Sequence, residues 1–343
     1  MSVHSYLKWL SHQTASIYWH DSAIRAEQLD AFSNGAVGMT TNPFLVYNTL
    51  SSDRTFWQEK LDALPKGLQG MEKVHALMRC VTGYYADKAR PIYEKGILGE
   101  GYVCAQTNPL KTGDLDYMIE EAKILSSWAP NLVVKLPATN AGIEAYEICT
   151  ALGMNVAATV CFTVPQALAV GEAAERGRKK ARENGITPGL NIAVLMVGRL
   201  DDYLRDVAHD VKSPVQESDI VQAGIACIKR SYSIYQARGY ETILMPAGCR
   251  GANQITELAG AKMIFSIAPK IVRKLPVDTP CVERIDIPVE RDVIERLMTL
   301  REFRKAYEPD GMIREDFITF GSANRTTDQF INDGWNPLLN FSY

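Results

Sequence analysis

Short runs of strand-forming apolar residues recur along this chain, separated by longer stretches in which apolar residues return every three or four positions. The first run, Ser16-Ile17-Tyr18-Trp19-His20-Asp21, closes on an acid and leads into a helical stretch around Ala23 to Phe32. A second run, Ala36 to Thr40, enters Thr41-Asn42-Pro43, where the proline ends any sheet ladder and biases Asn42 toward an extended backbone. Residues from there to about Glu100 read as a helical insertion. The third run is Gly101 to Gln106, stopped by Thr107-Asn108-Pro109. After it, Leu115, Met118, Ile119, Ala122 and Leu125 mark the apolar face of a helix over Asp114 to Trp128. Asn131-Leu132-Val133-Val134-Lys135-Leu136 is the fourth run, followed by Pro137-Ala138-Thr139 and a helix from Ala141 to Leu152. The fifth covers Met154 to Cys161, with a long helix from Pro165 to about Asn184. The sixth, Gly189 to Val197, has Gly198-Arg199 at its exit, then a loop and a helical stretch from Glu217 to Arg238. Thr242 to Pro246 is the seventh run, Asn253 to Ala259 a helix, and Lys262 to Ser266 the eighth run.

Eight alternating strand and helix units predict an α/β fold, a closed (β/α)8 TIM barrel rather than an open doubly wound sheet. No G-x-G-x-x-G follows the first strand, which weighs against a dinucleotide-binding fold. Such a barrel takes about 250 residues. The surplus of this 343-residue chain lies in the helical insertion near 50–100 and in a C-terminal helical extension over about 271–343. With no composition break or low-complexity linker, residues 1–343 read as a single domain whose barrel covers about 16–270. The aromatic end, Phe330 to Tyr343, is open to three readings: a cover over a site mouth, a subunit contact as in a homodimer, or plain surface packing.

Composition narrows the function classes. A charge of -3 with 46% hydrophobic residues offers no basic surface for nucleic acid. The densest basic stretch, Arg176 to Arg182, is interleaved with Glu172, Glu175 and Glu183 and reads as a solvated helix face. Seven cysteines without C-x-x-C spacing fit a reducing cytoplasm. No charged segment followed by an apolar stretch opens the chain, and no apolar run approaches membrane-spanning length, so no membrane partner is expected. The five histidines show no ligand-like pairing. Neither a metal nor a cofactor is expected.

One lysine sits inside a strand that reads as buried on both faces. Burial disfavours an ammonium ion, and a neutral amine can attack a carbonyl. The plain alternative is that Lys135 snorkels to water or pairs with a carboxylate. In a barrel of this kind the active site lies at the C-terminal strand ends. The polar residues there are Asp21, Thr40-Thr41-Asn42, Gln106-Thr107-Asn108, Lys135 with Thr139, Thr159 with Thr163, Arg199 and Arg250. Asp21 and Thr139 also read as helix caps and Asn42 as a turn residue. Together, an amine, an acid, hydroxyl and amide donors and two guanidiniums suit a hydroxylated, anionic carbonyl compound. Thr41, Asn42 and Thr163 are the candidate substrate contacts among the uncharged residues.

These residues also carry a resemblance. Thr40-Thr41-Asn42-Pro43, Val134-Lys135-Leu136-Pro137-Ala138-Thr139 with Gly142-Ile143-Glu144-Ala145, and Thr159 preceding Phe162-Thr163 and Gln166-Ala167 resemble the signatures of the transaldolase family. Val197-Gly198-Arg199-Leu200-Asp201, Ala247-Gly248-Cys249-Arg250 and Leu258-Ala259-Gly260-Ala261 extend the likeness over about residues 16–270. The resemblance implies a Schiff-base enzyme that transfers a dihydroxyacetone unit from a ketose or ketose phosphate to an aldehyde. Lys135 matches the imine-forming lysine, Asp21 the acid that handles the C4 hydroxyl proton, and Asn42 a donor to the dihydroxyacetone unit. Thr159 matches the threonine that holds a catalytic water, and Arg199 with Arg250 the pair that binds the sugar phosphate.

Departures from the family pattern keep alternatives open. Gln106 stands where the transferases usually carry Glu, as in the fructose-6-phosphate aldolase branch, and an amide cannot act as a general base. Phe44 replaces the Ser of T-T-N-P-S, Ala157 an asparagine, and Val194 and Gly248 two hydroxyl residues expected near the phosphate. An aldolase-type lyase that releases dihydroxyacetone, and an inactive barrel that binds a sugar phosphate, are the alternatives.

Overall fold

A computed structural model describes residues 3–343. The strands are β1 Ile17–His20, β2 Gly38–Met39, β3 Val103–Gln106, β4 Leu132–Pro137, β5 Val156–Cys161, β6 Asn191–Leu195, β7 Ile243–Pro246 and β8 Ile264–Ile267. All ladders are parallel, in the order β7-β6-β5-β4-β3-β2-β1-β8. β7 and β8 adjoin without a ladder and complete a near-closed ring, so the expected (β/α)8 barrel is the observed fold. Every residue of β3 to β8 is buried, as expected of parallel strands covered by helices outside and side chains within.

The helices are α1 Val3–Gln13, α2 Arg25–Ser33, α3 Pro43–Ser52, α4 Arg54–Asp62, α5 Gly70–Tyr93, α6 Leu115–Ser126, α7 Asn140–Ala151, α8 Val164–Glu183 and α9 Val197–Asp210. They continue as α10 Glu217–Ile220, α11 Ala223–Arg238, α12 Asn253–Thr256, α13 Pro269–Val272, α14 Arg291–Leu297, α15 Arg301–Tyr307, α16 Gly321–Gln329 and α17 Asn336–Leu339. α3 to α5 form the expected insertion. Its long helix is tied to the barrel by Asn131, whose Nδ2 donates to Ala86 O at 2.8 Å and to Gly101 O at 2.7 Å. β2 is short and tightly seated. A Cβ on Gly38 would lie 2.4 Å from Trp19 Nε1, the same nitrogen that donates to Gly99 O at 2.7 Å.

Three segments differ from expectation. The sixth strand ends at Leu195, and Val197 already opens α9 where a loop was expected, so Gly198 and Arg199 lie in a helical first turn. Leu200, Leu204 and Ala208 supply its buried stripe, diluted in the sequence by the acidic and basic residues of its outer face. The stretch expected to be one helix from Glu217 to Arg238 divides into α10 and α11. The N-terminal helix α1, whose Leu7 and Leu10 are buried, was not anticipated.

The C-terminal extension packs back on the barrel. α16 and the π-helical turn Phe330–Trp335 pass over the strand ends, and Phe330, Trp335 and Leu338 are buried. π-helical turns of this kind recur at functional sites. Of the three readings of the aromatic end, Phe330 fits the cover over the mouth, while Phe341 packs edge-on against Tyr47. No helix among the described residues is long and apolar enough to cross a membrane.

Candidate active site

At the C-terminal ends of the strands lies a cavity of about 360 Å³. Ladder register sets what faces it: Gln106 pairs with Lys135, and Pro137 with Thr159, so β3, β4 and β5 present their polar residues at neighbouring levels. Lys135 reaches the cavity from the middle of β4 and is only 7% exposed. Its Nζ donates to Thr41 O at 3.3 Å, and no carboxylate among the described residues comes within ion-pairing distance. That is an unusual setting, since buried lysines normally have a charged partner.

Asp21 follows β1, its backbone nitrogen bonded to Ile267 O at 3.1 Å. Thr40 Oγ1 donates to Asp21 Oδ1 at 2.7 Å and lies 2.8 Å from Ser266 Oγ. With that proton given to Asp21, Ser266 becomes the donor to Thr40, and the relay holds the carboxylate in one orientation. Asn42 caps α3 through Oδ1, which accepts from Leu45 N at 2.9 Å. Its side-chain nitrogen has no partner among the described residues and remains a donor at the cavity wall. Thr159 Oγ1 and Gln106 Oε1 are buried without any hydrogen-bond partner. An unsatisfied buried polar atom costs about 1–3 kcal/mol, so each calls for a partner from outside the chain.

The structure brings Asp21, Asn42, Lys135, Thr159, Arg199 and Arg250 onto one cavity. Gln106 lines an adjoining crevice that shares Thr159 and Phe330. Thr41 and Thr163 do not line the cavity. Thr41 Oγ1 donates to Cys104 O at 2.6 Å, and Thr163 caps α8 by accepting from Gln166 N at 3.1 Å. Both hydroxyls hold backbone, as Thr139 does for α7. Side chains the motifs did not point to also line the cavity: Glu27, Ser266, Lys270, Arg273, Gln329 and Phe330. Ser266 closes the eighth run and Phe330 opens the aromatic end, so both were visible in the sequence, whereas the others sit on or just after helices whose approach to the mouth no local pattern reports.

Arg199 and Arg250 differ in state. Burial pushes the Arg199 guanidinium down to about 10, helped by the neighbouring charge of Arg250. Its Nη1 lies 3.5 Å from Thr326 Oγ1, and the group sits 5.8 Å from the Phe330 ring centre. Arg250 is held by Asp202, with Nε 2.6 Å from Oδ2, and its Nη1 donates to Gly248 O at 2.9 Å. Behind it, buried Asp201 accepts from Gln254 Nε2 at 2.6 Å, and Gln254 Oε1 accepts from Arg250 N at 2.6 Å. This chain of bonds sets the turn after β7.

Residues 18–333 match the model of the transaldolase/fructose-6-phosphate aldolase family. The chain belongs to this family. The match runs past the barrel into the C-terminal extension, so Phe330 falls within the family's span. Among similar proteins are a transaldolase of Thiobacillus denitrificans, 28% identical over 59% of this chain and 57% of that protein, and one of Parafrankia sp., 26% identical over 60% and 57%. Transaldolase 2 of Streptomyces avermitilis is 27% identical over 67% of this chain and 64% of that protein. The chain thus spans about 57–64% of the length of these curated relatives.

In this family barrel one buried titratable group faces away from the cavity. Adjacent strand residues point to opposite faces, so His20 turns from Asp21 toward a second cavity, of about 460 Å³, outside the sheet. Both ring nitrogens lack a partner, and burial pulls the imidazole down to about 4. A neutral folded His20 contributes stability that is fully present above the ordinary value of 6.5 and is lost as pH falls toward about 4. The expected loss is about 3 kcal/mol. His20→Phe cannot titrate and should lose correspondingly less between pH 7 and pH 4 in urea unfolding. Equal losses in both proteins would refute this.

Proposed function

We propose that the chain, acting as one domain, is a transaldolase-type enzyme that forms a Schiff base between Lys135 and a ketose or ketose phosphate. The reading is carried by Lys135: a buried amine without a counter-ion, sharing one cavity with Asp21 and the unpartnered Thr159 hydroxyl. The Nζ lone pair adds to the C2 carbonyl, and loss of water from the carbinolamine gives an iminium. As the C3–C4 electron pair flows into the iminium, Asp21 takes the C4 hydroxyl proton and C4 departs as an aldehyde. The enamine left on Lys135 adds to an acceptor aldehyde, with Asp21 returning the proton, and water then hydrolyses the new imine.

In this reading Asn42 donates to the hydroxyls of the dihydroxyacetone unit, Thr159 and Gln106 hold the water, and Arg199 and Arg250 meet the phosphate. Seven free cysteines accord with a reducing cytoplasm.

A lyase variant has one specific observation in its favour. Gln106 is an amide and cannot activate water as a base, so how the enamine is released differs from a carboxylate-assisted site. Incubation with fructose 6-phosphate, with and without an aldose phosphate acceptor, separates the variants. Product formed only with acceptor supports transfer, and dihydroxyacetone released without acceptor supports the lyase. Absence of both products across a panel of ketoses, with no adduct trapped by borohydride, would sink the proposal.

A further inference from the structure

Among the described residues, Val160 and Lys212 are the non-glycines with a positive φ. Lys212 lies on an exposed turn. Val160 is 4% exposed, directly follows Thr159 in β5 and has a φ of 54°. A β-branched residue is disfavoured in the left-handed region, and such a conformation persists only where its surroundings impose it. The ladder shows what it produces. Ala158 pairs with Ala193 and Cys161 with Leu195, three steps on β5 against two on β6, so β5 carries one extra residue. That bulge leaves Thr159 and Val160 together on the crevice that also holds Gln106. Without it, alternation would turn Val160 outward and bring Cys161 inward.

The restraint comes from one side chain. Gln166, fully buried in the first turn of α8, donates through Nε2 to Val160 O at 3.0 Å and to Ala138 O at 3.1 Å. Its Oε1 accepts from Phe162 N at 3.0 Å and from Thr163 Oγ1 at 3.1 Å. Both donors and both acceptor positions of the amide are therefore in use. Ala138 N in turn donates to Thr159 O at 2.6 Å, so the amide ties the exit of β4, just beyond Lys135, to the bulge in β5.

We propose that Gln166 is a positioning residue for Thr159: it holds Val160 in the left-handed conformation, and the resulting bulge aims the Thr159 hydroxyl and walls the crevice beside it. This role rests on the imine reading, in which Thr159 holds the water. Gln166 itself touches no substrate. Its amide acts through the backbone on the step in which the C2–O bond of the carbinolamine breaks to give iminium and water, and on the reverse addition of water. A group that assists both directions changes how fast the imine forms and not how much of it is present at equilibrium.

The test uses the full chain with unphosphorylated dihydroxyacetone as probe, quenched with borohydride at successive times and read by intact mass. Gln166→Met keeps the length of the side chain without its amide. In that variant the approach to the final adduct level should slow about 10²-fold, the scale of a displaced group, while the level itself changes by less than about twofold. A loss of folded protein would lower the level instead. Adding Val160→Gly should recover about tenfold of the rate, because glycine adopts the left-handed backbone without a clamp. Val160→Gly and Val160→Ala alone both remove the isopropyl group, so their difference reports the backbone, and the glycine variant should melt about 2 °C above the alanine variant. An unchanged rate in Gln166→Met, no recovery on adding Val160→Gly, or a glycine variant that melts at or below the alanine variant would overturn the proposal. The melting comparison decides it if Gln166→Met does not fold. A wild type that traps no dihydroxyacetone removes the imine reading and this role with it, whereas adduct formed at an unchanged rate in Gln166→Met removes the role of Gln166 alone.

Discussion

Lys135→Ala is expected to abolish covalent capture of a ketose and to lower kcat/KM by about 10⁵-fold, the scale of losing a nucleophile. Lys135 is buried but makes one long hydrogen bond and no ion pair, so removing it breaks no network and the melting temperature should change little. The cavity also contains an internal control. Lys270 lines the same space, yet it is exposed to solvent at the rim. Borohydride reduction in the presence of fructose 6-phosphate, followed by intact mass and peptide mapping, should therefore label Lys135 and leave Lys270 unmodified. Lys135→Arg should be as inactive as the alanine variant, because it keeps a positive charge but offers no primary amine. An adduct that persists in Lys135→Ala, or that maps to Lys270, would end the proposed role of Lys135.

The barrel was legible in the sequence because parallel strands covered on both faces leave continuous apolar runs. Val133-Val134-Lys135-Leu136 and Ala157-Ala158-Thr159-Val160 are read almost without ambiguity. The neighbourhood of Lys135, Gln106 and Thr159 followed from strand order and register, both local consequences of the fold. What was not legible depends on elements that arrive from far along the chain. Gln329 reaches the mouth only because α16 crosses back over the strand ends, and Lys270 and Arg273 look like ordinary surface charges until α13 is placed. α9 was hidden because its buried stripe is thin among charged residues. Thr41 and Thr163 illustrate the opposite error. A hydroxyl at a strand end is as useful for capping a helix or bonding a neighbouring strand as for touching a ligand, and residue type alone does not separate the two.

Asp21→Asn separates imine formation from bond cleavage. The substitution preserves shape, and the amide oxygen can still accept from Thr40, so the relay from Ser266 and the mouth of β1 should keep their geometry. What is lost is the acceptor of a proton. An amide cannot take the C4 hydroxyl proton, and loss of a positioned general base costs about 10²–10⁴-fold. Attack by Lys135 on the ketone precedes that step and should be less impaired. Borohydride quenching of wild type with fructose 6-phosphate should therefore yield a lysine carrying the three-carbon dihydroxyacetone unit, whereas Asp21→Asn should carry the mass of the intact donor. Unphosphorylated dihydroxyacetone should still be trapped by both proteins, showing that the lysine remains competent. If the three-carbon adduct accumulates in Asp21→Asn at the wild-type rate, the proton leaves by another route, and Ser22 and Glu27, which line the same wall, become the next groups to remove.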